Sequence, residues 1–178
     1  MRVTITSSSS SDINEDYLTE SQKVIEYLAG QGYDLNWGSS SSSIMGLCYK
    51  TFDKYNRNIY GYTTPKYLDD LENLPHAKIK VLDNTFDMKK ELFNDADLIV
   101  CLPGGLGTIS ELYSYIEEIR SNDKKTELIL YNINHYYDIV LTTLNHLIEE
   151  KFASSNILDY FKVVNNCEDF IKTIEDNN

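Results

Sequence analysis

Cysteine, histidine and arginine are scarce in this chain of 178 residues. The three cysteines, Cys48, Cys101 and Cys167, are far apart and odd in number. That argues against a disulfide framework and against a CxxC metal site, and favours buried thiols in a reducing cytosol. His76, His135 and His146 form no HxxxH or HExxH pair, so no catalytic metal is expected. Arg2, Arg57 and Arg120 are the only arginines, which leaves few candidates for a guanidinium clamp on an anion. No apolar run approaches the roughly 20 residues that cross a bilayer, so no membrane partner is expected. The apolar stretch within Met1–Thr6 is too short for a secretory signal, and a cytoplasmic location is expected. Basic residues are also few: 16 against 28 acids, a net charge of −12. Grip on nucleic acid through its phosphates normally needs the opposite balance, so nucleic acid is not an expected partner. A small anion remains compatible, because local dipoles can outweigh the global field.

What is present is strand–helix alternation. Strand-like segments fall at Val3–Thr6, Tyr33–Gly38, Arg57–Thr63, Lys78–Leu82, Asp97–Leu102, Glu127–Ile133 and Phe161–Val164. Between them lie helical patterns. Leu18, Ile25 and Leu28 share one face before Gly32, and Ile44 opens a helix running toward Tyr55. Further helices are expected over 86–95, 107–121, 135–151 and 166–176. The run 97–102 is almost wholly apolar, as befits a central parallel strand covered on both faces. The expected fold is α/β: one Rossmann-like domain over 1–178, a parallel sheet with helices on both faces. Ligands of such folds bind at the carboxyl ends of the strands. Two serine runs, Ser7–Ser11 and Ser39–Ser43, each follow a strand and precede a helix, where small residues let a ligand approach the backbone.

The stretch from Leu102 to Glu111, LPGGLGTISE, carries the most chemistry. Gly104, Gly105 and Gly107 strip side chains from a strand-to-helix loop. The free amides of the following helix, backed by its dipole, form a phosphate cradle. Thr108 can cap the helix or donate to a phosphate oxygen. Glu111 lies off the apolar stripe of Ile109, Leu112, Tyr113, Ile116 and Ile119. In its bland role it favours the helix dipole by about 0.3–1 kcal/mol. In its sharp role it faces a sugar attached to the phosphate, where a carboxylate can orient hydroxyls, stabilise an oxocarbenium-like centre or activate water. Neither the GxGxxG dinucleotide fingerprint nor a Walker A loop is present.

Pro103–Glu111, PGGLGTISE, resembles the PGGxGTxxE signature of the Lonely Guy family, phosphoribohydrolases that release cytokinin bases from riboside 5′-monophosphates. Weaker matches extend over nearly the whole chain. Thr6-Ser7-Ser8 stands at the family's Cys-Gly-Ser loop. Gly38–Gly46, GSSSSSIMG, stands at GGGxxGLMG. Pro65–Leu68 resembles a PxxL segment, and residues 132–138, NINHYYD, resemble N-x-x-G-Y-Y-D. The resemblance implies a homodimeric N-glycosidase acting on AMP or N6-substituted AMP, without metal or other cofactor. Catalysis would fall to Glu111 and Lys89. Substrate binding would fall to Ser8, Gly38, Ser39, Glu72, Met88, Lys90, Gly104, Gly105, Gly107 and Thr108. Lysine decarboxylation, a label long carried by bacterial relatives, is not indicated by any Schiff-base lysine context.

One departure stands out. The family's Arg-Lys pair before the motif falls on Met88-Lys89, or on Lys89-Lys90 after a one-residue slide. Neither register supplies arginine, and lysine offers charge without a planar fork. Two other readings therefore stay open: a non-catalytic nucleotide-binding module, and a deoxyribonucleotide N-glycosidase or transferase with Glu111 as nucleophile.

Overall fold

In the computed structural model, residues 1–121 and 126–176 are described. Seven strands form one parallel sheet: β1 (Arg2–Thr6), β2 (Asp34–Trp37), β3 (Ile59–Thr63), β4 (Lys78–Val81), β5 (Leu98–Cys101), β6 (Glu127–Tyr131) and β7 (Lys162–Val164). Their spatial order is β4-β3-β2-β1-β5-β6-β7. Among the described residues, six α-helices alternate with them: α1 (Glu15–Gly30), α2 (Ser43–Lys54), α3 (Thr85–Asn94), α4 (Leu106–Ser121), α5 (Asp138–Glu149) and α6 (Cys167–Glu175).

The two-residue period of the strands divides the core. Val3, Ile5, Leu98, Val100, Ile129 and Tyr131 face a cluster shared with α1, α2 and α6. Ile99, Cys101, Leu128 and Leu130 face the other side, against α3, α4 and α5. Central strands covered on both faces must be apolar throughout, which is why β5 is buried along its whole length.

Local chemistry sets the boundaries. α1 ends in a Schellman motif: Tyr33 N–H donates to Leu28 C=O at 3.3 Å and Gly32 N–H to Ala29 C=O at 3.2 Å. Gly32 accordingly holds φ at +93°. The helix expected from residue 135 starts instead at Asp138. Asn134 and His135 hold φ of 50° and 61°, so the chain cannot enter a right-handed helix there. The short 3₁₀ segments Pro65–Asn73 and Ser155–Tyr160 carried no distinct pattern in the sequence.

The order reverses between β1 and β5. The chain winds outward from β1 to β4, then returns past β1 to start the second half at β5. The loops after β1 and β5 therefore leave toward opposite faces and open a crevice at the crest of the sheet.

Candidate active site

The crevice is a cleft of about 700 Å³, within the range of small-ligand sites. It is built from the loops that follow β1, β2, β3 and β5 and from the inner side of α3.

The loops are laced together by their backbones. Ser8 N–H donates to Pro103 C=O at 3.1 Å, and Met45 N–H to Ser8 C=O at 3.1 Å. Thr108 Oγ1 donates to Ser7 C=O at 3.1 Å. The Thr108 proton is thus committed to the β1 loop rather than to a phosphate oxygen, and Thr108 stands inside the first turn of α4 rather than at its cap. Gly104 is buried behind this contact. A Cβ there would stand 2.1 Å from Thr108 Oγ1 and 2.9 Å from the Ser7 carbonyl carbon. Its role is close packing, and it is not among the residues lining the cleft.

Gly105 and Gly107 do line the cleft, and a Cβ on either would meet nothing within 4 Å. The first hydrogen bond of α4 runs from Ile109 N–H to Gly105 C=O at 3.0 Å. The amides of Leu106, Gly107 and Thr108 therefore have no acceptor within their own helix, and Gly105 brings no side chain to cap them. They offer a partly positive, open concavity to an anion.

Glu111 sits one turn further on. Its carboxylate accepts a hydrogen bond from Thr6 Oγ1, on the last residue of β1. Burial pushes its pKa above the ordinary carboxylate range, while the Thr6 bond and the Lys89 charge pull it back down. Lys89, on α3, donates from Nζ to Ser110 Oγ at 2.5 Å. Lys66, Lys89, Asp69 and Glu111 are the charged residues lining the cleft, among those described. Two cations balance two acids inside a strongly acidic protein, so the helix dipole sets the local sign at the loop.

The second serine run forms the opposite wall. Gly38, Ser39 and Ser40 line the cleft. Ser39 and Ser43 adopt φ of +58° and +52°. Both stand where the resemblance places glycines, which explains the glycine preference at those points. Ser39 Oγ offsets part of that strain by donating to Tyr62 C=O at 3.2 Å.

Of the residues expected to form a site, Ser8, Gly38, Ser39, Met88, Lys89, Gly105, Gly107, Thr108 and Glu111 line one cleft. Glu72 and Lys90 are exposed and stand outside its lining. Glu72 lies on the 3₁₀ segment whose Lys66, Tyr67 and Asp69 face the cleft instead, and Lys90 falls one residue past the inner side of α3. No signal in the sequence separated Lys89 from Lys90. Nothing in the sequence marks Thr6 as the partner of Glu111 beyond its position at the end of a strand bordering the switch point.

No arginine reaches the cleft. Arg2 pairs with Asp95 at 3.2 Å and lies 3.8 Å over the Tyr60 ring. Arg57 donates to Ala29 C=O at 2.8 Å, and Arg120 pairs with Glu117. The cation beside Glu111 is lysine. Among the described residues no cluster of three His, Cys, Asp or Glu side chains could hold a metal ion, and no helix is long and apolar enough to cross a membrane.

Comparison with known proteins places the chain in a family. The family described as "Possible lysine decarboxylase" matches residues 45–174, well over half of the chain. The chain is 24% identical over 177 residues to the Arabidopsis thaliana cytokinin riboside 5′-monophosphate phosphoribohydrolase LOG7, covering 98% of this chain and 81% of that protein. It is 27% identical over 139 residues to the probable cytokinin riboside 5′-monophosphate phosphoribohydrolase LOG4 of Oryza sativa subsp. japonica. That match covers 78% of this chain and 60% of the rice protein's length.

The chain belongs to the Lonely Guy family.

Its fold is shared more widely. The molybdenum cofactor carrier protein of Chlamydomonas reinhardtii superposes with a TM-score of 0.70 at 14% identity, over 98% of this chain and 95% of that one. Within the Lonely Guy frame, this member keeps the motif glutamate at the crest but carries Met88-Lys89 on the facing helix and serines on the second loop.

Proposed function

We propose that this Lonely Guy protein hydrolyses the N-glycosidic bond of a nucleoside 5′-monophosphate, releasing adenine or an N6-substituted adenine. The observation that carries the reading is the pairing of the open amides at the start of α4 with Glu111 one turn further along the same helix. A phosphate held by the amides of Leu106, Gly107 and Thr108 places the attached ribose over the Glu111 carboxylate.

The chemistry then follows from charge. As the C1′–N bond lengthens, its electron pair leaves with the base nitrogen, which takes up a proton. Positive charge develops on the sugar, and the Glu111 carboxylate stabilises it at short range in a partly dry cleft. Water adds to C1′ and loses a proton, giving ribose 5-phosphate and free base. Thr6 holds the carboxylate in place and favours its ionised form. Lys89 supplies the positive charge on the facing wall. The names of the plant relatives support this substrate class.

A homodimer with the cleft near its interface belongs to the same proposal. It is supported by the large apolar side chains Leu106 and Phe86, 86% and 80% exposed, on the helices that flank the cleft.

The test is incubation with AMP and with N6-isopentenyl-AMP, followed by chromatography for free base and ribose 5-phosphate. Release in equal amounts, lost on Glu111→Gln, supports the reading. Absence of release from both, or equal release by the variant, rejects it.

A second reading is favoured by one observation. Met88 lines the cleft, and no guanidinium does. A site without that donor can bind a phosphate ester and not turn it over, as a carrier does; the fold is shared with a molybdenum cofactor carrier. Tight AMP binding with no release identifies this case.

A further inference from the structure

We propose that Tyr136 is a positioning residue for the anion cradle: its hydroxyl fixes the Gly104–Gly105 peptide with the amide turned toward the cleft. The proposal rests on the reading of α4 as an anion site and adds the device that keeps that site in its binding form.

Two adjacent tyrosines reach back from the segment after β6 to the loop after β5. Tyr136 OH donates to Gly104 C=O at 2.7 Å. Tyr137 OH donates to Leu102 C=O at 2.6 Å. In a planar trans peptide the carbonyl and the next N–H point in opposite directions. Tying the Gly104 oxygen to Tyr136 therefore turns the Gly105 N–H the other way, toward the cleft that Gly105 lines. The bond from Ser8 N–H to Pro103 C=O fixes the preceding peptide in the same manner.

The lock matters because both flanking residues are glycine. Without Cβ atoms, a Gly–Gly peptide can rotate at little cost. A rotated peptide would present the Gly104 oxygen, with its partial negative charge, to the bound anion. The two tyrosines are unequal in this respect. The residue after Leu102 is proline, which has no N–H, so Tyr137 orients no donor. Tyr137 satisfies the carbonyl that follows β5, and of the two tyrosines only Tyr136 aims an amide.

Tyr136 is itself well held. Its ring meets Tyr17 of α1 edge-on at 5.7 Å and Tyr137 at 5.1 Å. Tyr137 N–H donates to Asn132 Oδ1 at 2.7 Å, and Asn132 Nδ2 donates to Asp138 at 2.9 Å. The left-handed pair Asn134 and His135 makes the bend that brings the tyrosines back over the loop. Such backbone persists only where its surroundings enforce it.

Calorimetric binding of AMP and of adenosine, with every protein carrying Glu111→Gln so that AMP is not consumed, separates aiming from mere support. For Tyr136→Phe, AMP affinity falls about tenfold, as for loss of one well-placed hydrogen bond, while adenosine affinity is unchanged. For Tyr137→Phe the ratio of AMP to adenosine affinity stays as with both tyrosines intact, although the thermal midpoint falls. With both tyrosines intact, the Gly105 amide resonance of the ¹⁵N-labelled Glu111→Gln protein shifts on addition of AMP and not of adenosine. An unchanged ratio in Tyr136→Phe, equal losses for both ligands, or a Gly105 resonance indifferent to AMP overturns the role of Tyr136 and leaves the hydrolase reading standing. A Glu111→Gln protein with both tyrosines intact that binds AMP no better than adenosine overturns the cradle, and both proposals with it.

Discussion

The Thr6 hydroxyl at the end of β1 donates to the Glu111 carboxylate on α4, joining the two sides of the switch point through one hydrogen bond. Glu111 is pulled in two directions. Burial favours its neutral form; Thr6 and Lys89 favour its charge. A carboxylate kept in so costly a place contributes to function at the expense of stability, and the cost is measurable.

Glu111 has a folded-state pKa above its unfolded value. Its contribution to stability is therefore fully present below the unfolded value of about 4.3 and is lost as pH rises through the raised folded value. The Glu111→Gln variant does not titrate there. Its thermal midpoint should equal or trail that of the wild type near pH 4 and overtake it toward neutrality. Base release by the same variant should fall by about 10²–10³. Thermal melts across the pH range, paired with the chromatographic assay, check both.

Thr6→Val removes the donor that favours the ionised carboxylate. The Glu111 pKa then moves further upward, and the acid limb of the activity–pH profile shifts to higher pH. An acid limb unmoved in this variant would show that a different group governs it.

Lys89 and Lys90 are adjacent in sequence and unequal in place. Lys89→Met should lower base release about 100-fold, since a charged donor is lost from the site. Lys90→Met should leave both activity and stability within about 0.5 kcal/mol of the wild type, as for other exposed positions. Comparable losses in the two would contradict the assignment of the site to the inner side of α3.

The loop residues separate packing from binding. A Cβ at Gly46 would lie 2.1 Å from Ser41 C=O, so Gly46→Ala should destabilise by about 1–3 kcal/mol. Gly107→Ala meets open space and should raise stability by up to about 1 kcal/mol. It should nonetheless weaken AMP binding, because the added methyl occupies the anion's approach. Ser43→Gly relieves a left-handed serine and should gain about 1 kcal/mol. Denaturant titrations with parallel AMP binding distinguish these outcomes.

Much of the architecture was legible because it rests on local pattern. The apolar run ending at Leu102, the glycines after it and the helical stripe led by Ile109 each specify their element without reference to anything distant. All seven strands and six helices stand near their expected places, with boundaries differing by a few residues. What the sequence could not show depends on contacts across the chain. Thr6 reaches Glu111 over a separation of 105 residues. Thr108 gives its proton to Ser7 because two loops on opposite sides of the switch point happen to meet. Glu72 falls outside the cleft because the segment from Pro65 to Asn73 is a kinked 3₁₀ stretch, with Tyr67 off the helical path, rather than a regular turn. Start of α5 at Asp138 follows from two left-handed residues, Asn134 and His135, which end the preceding turn before the helix can begin.

The most direct measurement is a crystal structure of the Glu111→Gln variant grown with AMP. The account predicts the phosphate against the amides of Leu106, Gly107 and Thr108, and the ribose C1′ within contact distance of residue 111. A cleft empty at saturating AMP, or a nucleotide whose sugar lies away from residue 111, would contradict it.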